Sequence, residues 1–334
     1  MARYIARRVI ALLPILLGVS AAAFLMIHLL PGDPATVYVG DHATPGSIER
    51  VQHQFGLDKP LPVQYGIYLW NALQGNFGES LDSHRRVLTE FVPRFPATIE
   101  LSLGAMIVAL CVGVPIGILS AAKPNSIFDR LGMLVALAGV STPVFWLGLM
   151  LIYLFSVYFH VLPTTGQLDV NLSLTAITHI DVLDGLLTRN WQAVGDALRH
   201  LVLPSITVGS IPTAIIARMT RASMLDALHQ DYIRTARAKG LTGHAVVIGH
   251  GLRNALLPVV TVIGLQFGGF LTGAILTETI FSWPGVGRYM YDSILFRDYP
   301  VILAGILLFS LMFVLVNLVI DVLYAFLDPR IRYA

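Results

Sequence analysis

Six apolar stretches, each near the length of a bilayer crossing, dominate this sequence: Val9–Leu30, Ile99–Ala122, Leu131–Phe159, Leu201–Ala217, Leu256–Leu276 and Val301–Leu327. A hydrocarbon core about 30 Å thick needs about 20 largely apolar residues when they form a helix. Only 13% of the 334 residues are charged and 55% are hydrophobic, whereas a soluble domain carries about 25% charged residues. A water-soluble fold of this composition would expose large apolar patches. The expected fold is therefore an all-α integral membrane protein with six transmembrane helices. The fourth stretch is short and holds Pro204 and Pro212. Membrane helices tolerate proline where neighbours satisfy the freed carbonyls.

Arg3, Arg7 and Arg8 precede the first stretch, and Ala21, Ala22 and Ala23 imitate a signal-peptide cleavage site. A signal core is only about 7–15 residues long, so Val9–Leu30 reads as a retained first span. Positive charge next to the spans sets orientation. It gathers at the N-terminus, at Lys123 and Arg130, between Arg218 and Arg253, and at Arg330 and Arg332. With an even number of spans these segments share one face, so both termini are expected in the cytoplasm of a multi-pass protein.

The other face would carry segment 31–97, His160–His200 and Glu278–Pro300. Segment 31–97 contains Pro31-Gly32-Asp33-Pro34 and Gly75-Asn76-Phe77-Gly78. A structureless loop of that length is unusual, so an external cap with short helices is expected there. The resulting organisation is 1–30 for the terminus and first span, 31–97 for the cap, 98–327 for a core with helices two to six, and 328–334 for a cytoplasmic tail. Within the core, 218–255 is a cytoplasmic loop.

Several chemistries lack their residues. A phosphate-binding loop needs Gly-Lys-Ser/Thr, and Lys59, Lys123 and Lys239 all sit in other contexts. Cys111 is the single cysteine, and the histidines are scattered without metal-ligand spacing. Catalytic, cofactor-binding and metal residues are therefore not assigned. A net charge of +2 gives no strong basic field for nucleic acid. Ion-coupled carriers place ionisable groups deep in the bilayer. Here His28 and Glu100 lie near span ends, while Asp321, one turn beyond Asn317, reads as a polar face packed against a partner helix. The spacing Gly113-Val-Pro-Ile-Gly117, and glycines 264, 268, 269 and 273, suits close helix packing.

The most unusual stretch is the loop between spans four and five. Asp231-Tyr-Ile-Arg-Thr-Ala-Arg-Ala-Lys-Gly240 reads as a short helix. Asp231 suits its positive N-terminal end and Lys239 its negative C-terminal end, and Gly240 fits a C-terminal stop. Thr235, Ala236 and Ala238 leave a low-profile surface that another protein can approach.

This stretch, with Leu241-Thr242 and Leu252-Arg-Asn-Ala-Leu-Leu-Pro258, resembles the cytoplasmic signature loop of permease subunits of ATP-binding-cassette importers. The generic Glu-Ala-Ala is replaced by Arg234-Thr235-Ala236, Gly240 keeps its place, and the Leu-Pro comes later. Both departures resemble the dipeptide, oligopeptide and nickel branch. Further agreement lies in Leu30-Pro-Gly-Asp-Pro34, Phe55-Gly-Leu-Asp-Lys-Pro60, Phe91-Val-Pro-Arg94, Ser126-Ile-Phe-Asp-Arg130 and Ser141-Thr-Pro-Val-Phe-Trp146. It continues through Ile275–Gly287, Arg297-Asp-Tyr-Pro300 and Asp328-Pro-Arg-Ile-Arg332.

The resemblance implies a type I importer permease fold in a bacterial cytoplasmic membrane. It implies a second homologous permease, two ATP-binding subunits that hold ATP and magnesium, and an extracytoplasmic substrate-binding protein. Asp231, Tyr232, Arg234, Thr235, Ala236, Ala238, Lys239 and Gly240 would form or flank a coupling helix gripped by an ATPase. Glu278–Gly287 would be an external re-entrant or amphipathic element, with Trp283 as an alternative interface anchor. Peptides are the expected cargo, with nickel chelates, glutathione and haem-type molecules as alternatives. A secondary transporter would instead need a charged midplane or paired broken helices.

Overall fold

The computed structural model describes residues 2–29, 34–39 and 58–327, together with 44, 46, 48, 49, 52 and 56. The motif residues at 30–33 and the ending at 328–334 lie outside the described residues, as does most of 40–57. The side chain of Asp321 lies outside them too. Among the described residues the chain is helical, with an isolated bridge between Glu79 and Arg86 and no β-strand.

The chain divides into two units, 1–96 with 285–334, and 97–284. In the first, α1 (Ala2–Leu29) packs on the final long helix, Tyr299–Leu327. Ala23 and Leu303 are buried together there, with Tyr68, Tyr299 and Ile306 around them. Segment 31–97 does contain short helices: α2 (Pro34–Val39), α3 (Leu61–Leu73) and α4 (Val87–Phe91). Val87 and Phe91 of α4 pack against Val286, Met290, Val301 and Ala304. Asp298 pins the turn before α4 by accepting hydrogen bonds from Ser80 Oγ (2.5 Å) and the Leu81 amide (3.0 Å).

The second unit follows from α5 (Phe95–Ala122), α6 (Ile127–Ser141) and α7 (Val144–Leu151), the last running into a π-helical turn, Ile152–Tyr158. The expected third span is not straight. It bends by 106° between Ser141 and Val144. Pro143 disfavours the helical region for its predecessor, and Thr142 is extended (φ −83°, ψ 127°). A short α8 (Asp181–Leu187) precedes α9, a 38-residue helix from Trp191 to Leu228. The expected fourth span is thus the middle of a much longer helix that continues through Pro204 and Pro212, and Arg218 and Arg221 are helical rather than loop residues.

Glycines set how close α5 and α9 come. A β-carbon at Gly113 would lie 2.7 Å from the Thr213 carbonyl oxygen, and one at Gly117 2.6 Å from that of Ala217. The expected packing role of this pair is therefore met within the chain. Leu101, Ala105, Val208, Phe270 and Trp283 form the unit's main core.

After α9 come α10 (Asp231–Ala238), a π-helical segment (Ala245–Leu252), α11 (Arg253–Gly273) and α12 (Ile275–Ile280). The chain then continues into the first unit through α13 (Val286–Leu295) and α14 (Tyr299–Leu327). The π segment and α11 bend by 55° between Leu256 and Pro258. Among the described residues three helices are long and apolar enough to cross a membrane, or five if each bent pair counts as one crossing. All six expected stretches fall on helices; α1 contributes a shorter apolar run, Ile10–Met26.

Trp283 is not an interface anchor. It is fully buried, and its indole nitrogen donates to the Ala97 carbonyl at 2.8 Å. Asn317 spends its amide on its own helix, donating to the Phe313 carbonyl (2.8 Å).

Candidate functional site

Two residues of α10 explain why it folds as a separate short helix. Ile233 and Ala236 are three apart, so they share one face, and both are buried. They meet Val246 of the π segment and Leu228 at the end of α9. The remaining side chains, Asp231, Tyr232, Arg234, Thr235, Arg237 and Ala238, are exposed on the other face.

The ends of α10 are set locally. Gln230 precedes it in extended conformation, and Thr235 Oγ1 donates back to the Asp231 carbonyl at 3.1 Å. Asp231 and Arg234 approach to 3.7 Å, both well exposed, so the pair adds little. At the far end Gly240 takes φ +77°. Its amide donates to the Arg237 carbonyl (3.0 Å), and the Leu241 amide donates to that of Ala236 (3.3 Å). These two bonds form a Schellman motif, which needs a left-handed residue at the position Gly240 occupies.

Seven of the eight site residues expected from the sequence are therefore displayed together: Asp231, Tyr232, Arg234, Thr235, Ala238, Lys239 and Gly240. Ala236 is not. It turns into the chain's own packing, so the low-profile outer surface consists of Thr235 and Ala238. Ile233, the residue that seats the helix, was not singled out. Its signal was present, as the one large aliphatic side chain in a polar stretch with a small residue three positions on.

The seat itself is anchored. Met224, Ala227 and Ala255 are buried with Ala121 from the end of α5, flanked by Leu225, Leu228 and Leu252. One turn back along α9, Arg221 grips Asp129 of α6, with Nε to Oδ1 at 2.6 Å and Nη2 to Oδ2 at 2.8 Å. Asp129 is buried and also accepts from the Asn125 amide at 2.9 Å. Ser126 caps α6 by accepting from the Asp129 amide. A displacement of α10 therefore bears on Leu228 and Val246, and through them on α9 and α11. The arrangement offers mechanical contact and no group placed for covalent chemistry.

Comparison with known proteins agrees with this geometry. Residues 113–333 match the family model described as binding-protein-dependent transport system inner membrane component. Residues 1–102 match the N-terminal model of the same transport system membrane components. The di/tripeptide transport system permease protein DppB of Pseudomonas aeruginosa is 50% identical, over 100% of this chain and 99% of its own length. The glutathione transport system permease protein GsiC of Escherichia coli K12 is 46% identical over the whole of both chains. A chain of the inward-facing MetNI methionine ABC transporter shares the fold, with a TM-score of 0.51 at 18% identity, covering 70% of this chain and 93% of that one. The chain is a multi-pass member of the binding-protein-dependent transport system inner membrane component family, a permease subunit of the ABC type.

Proposed function

We propose that this chain moves di- and oligopeptides across the cytoplasmic membrane and that α10 is the coupling helix through which ATPase subunits drive it. In this reading α10 and both termini are cytoplasmic. Two ATP-binding subunits hold ATP and magnesium, a second permease completes the pathway, and a binding protein delivers cargo to the opposite face near segment 31–97 and Glu278–Gly287. ATP-driven closure of the ATPases pushes α10, and the push tilts α9 and α11 to expose the pathway alternately to each side.

The observation that carries this is the two-faced build of α10, with Ile233 and Ala236 seated in the permease and a polar, small-residue face left open. Peptide cargo rests on the 50% identity to the di/tripeptide permease. Glutathione, itself a tripeptide, is a second reading favoured by the 46% identity to the glutathione permease.

The test is reconstitution of the whole complex with its binding protein in proteoliposomes, following ATP-dependent uptake of labelled dipeptide. Uptake should survive collapse of the proton gradient and be lost in Ala238→Trp, whose side chain would block the open face. Normal uptake by Ala238→Trp overturns the coupling role. Uptake of glutathione in preference to dipeptides would reassign the cargo.

A further inference from the structure

Helix α3 inverts the pattern of a surface helix. Its sequence from Leu61 to Leu73 contains no charged residue. Its Gln64 and Tyr65 side chains turn toward α1. His28 Nε2 donates to Gln64 Oε1 (2.9 Å), and Gln64 Nε2 donates to the Lys59 carbonyl (2.7 Å). The Tyr65 hydroxyl lies 2.8 Å from Ser20 Oγ and donates to the Leu17 carbonyl at 3.2 Å. Phe24 fills the space between, 5.5 Å from the Tyr65 ring and 5.8 Å from that of Tyr68. The outward face is apolar: Val63 is exposed, Trp70 is 63% exposed and Leu73 81%. A helix bordered by water does the reverse.

The depth of contact says what lies outside. Ser20 is nine residues before the end of α1 at Leu29. At 1.5 Å per residue that is about 14 Å along the axis, close to half of the roughly 30 Å hydrocarbon core. A helix whose tyrosine reaches Ser20 therefore runs beside α1 inside one leaflet. Charge resumes at Asp58-Lys59 before α3 and at Glu79 after it, as expected where a chain returns to headgroups. Helix α1 likewise exposes apolar side chains, at Leu13, Leu17, Leu25 and Leu29.

We propose that α3 is a leaflet-embedded helix whose Val63, Trp70 and Leu73 face is covered by lipid acyl chains. The segment between the first two spans is then, in part, a membrane-inserted brace on α1 rather than a wholly aqueous cap. This does not depend on the cargo or on the role of α10.

Nitroxide collision measurements test it in the intact complex in lipid nanodiscs. In a Cys111→Ser background, single labels are placed at Val63→Cys and Leu73→Cys, with Leu25→Cys as a lipid-facing reference and Asn76→Cys as an aqueous one. Both α3 labels should collide with molecular oxygen as often as the Leu25→Cys label. They should collide with a water-soluble nickel chelate several-fold less often than the Asn76→Cys label. Nickel collision at the Asn76→Cys level would place the face in water. Protection from both reagents would place it under protein, whether the second permease or a binding protein. Either result overturns the proposal.

Discussion

Arg221 holds Asp129 in a two-point fork, at 2.6 and 2.8 Å, across 92 residues of sequence. The fork ties the first turn of α6 to α9 just before α9 reaches the seat of α10. Arginine matches a carboxylate bidentately and lysine does not. Breaking a buried pair by removing one partner costs about 3–5 kcal/mol because a charge is left uncompensated. Here the Arg221 side chain is 29% exposed, so the low end of that range applies. Arg221→Ala should lower the melting temperature of the purified complex clearly, and Arg221→Lys should fall between it and the parent. Equal melting of all three would mean that the fork contributes nothing to holding the base of α10.

The two alanines of α10 should respond oppositely to enlargement. Ala236 is buried against Ile233, Val246 and Leu228, and overpacking such a site costs about 1–3 kcal/mol. Ala238 is exposed. Ala236→Leu should therefore speed amide exchange across 231–246 even in the isolated permease. Ala238→Leu should leave exchange there unchanged and alter only ATPase-dependent activity. Gly240→Val belongs with Ala236→Leu for another reason. No atom lies within 4 Å of a β-carbon at that site, but the left-handed backbone costs a branched residue about 1–2 kcal/mol.

Neighbouring carboxylates near α8 should give segment 177–184 a two-sided acid response. Burial pushes the Asp184 carboxyl up, but hydrogen bonds from Thr178 Oγ1 and the amides of Ile177, Thr178 and His179 outweigh it and hold it below its ordinary range. Asp181 is raised, by burial first and then by the Asp184 charge. A depressed carboxyl contributes stability that is fully present above its unfolded value, about 3.9, and is lost as pH falls through the folded value. A raised one works the other way, since its protonation on descending toward that value favours the fold. Exchange protection of the amides at 177–179 should thus rise slightly as pH falls toward about 4 and then collapse below it. Asp181→Asn should abolish the rise, and Asp184→Asn should abolish the collapse by lowering protection at every pH.

The sequence revealed this molecule unevenly, and for physical reasons. The long apolar stretches report directly on a solvent, the bilayer, so they fall on helices, the third on two of them. The limits of α10 were legible because Gly240 answers a purely local backbone demand. The sharp bend before Val144 was not, although Thr142-Pro143 was in view, because 29 consecutive largely apolar positions from Leu131 to Phe159 read the same whether straight or folded back. Ala236 reads from the sequence as outer surface yet is buried, since a small residue suits a docking surface and a tight internal contact equally. Asp129 and Arg221 each looked like ordinary charges beside a span, and only the fold brings them together.

The packing of α5 on α9 yields the sharpest steric test. A methyl group added at Gly117 would sit 2.5 Å from Thr220 Cβ and 2.6 Å from the Ala217 carbonyl oxygen. The second contact is backbone, so no side-chain rotation relieves it and the helices must separate. Gly195, on α9 itself, has nothing within 4 Å of the same added atom. Alanine is a better helix former than glycine by about 1 kcal/mol, so one substitution should have opposite signs at the two sites. Gly117→Ala should lower the melting temperature of the complex, by an amount corresponding to about 1–3 kcal/mol. Gly195→Ala should leave it unchanged or raise it. If Gly117→Ala also proved neutral, α5 and α9 would not approach as closely as their glycines allow, and the path from α10 through α9 to the membrane core would lose a close backbone contact.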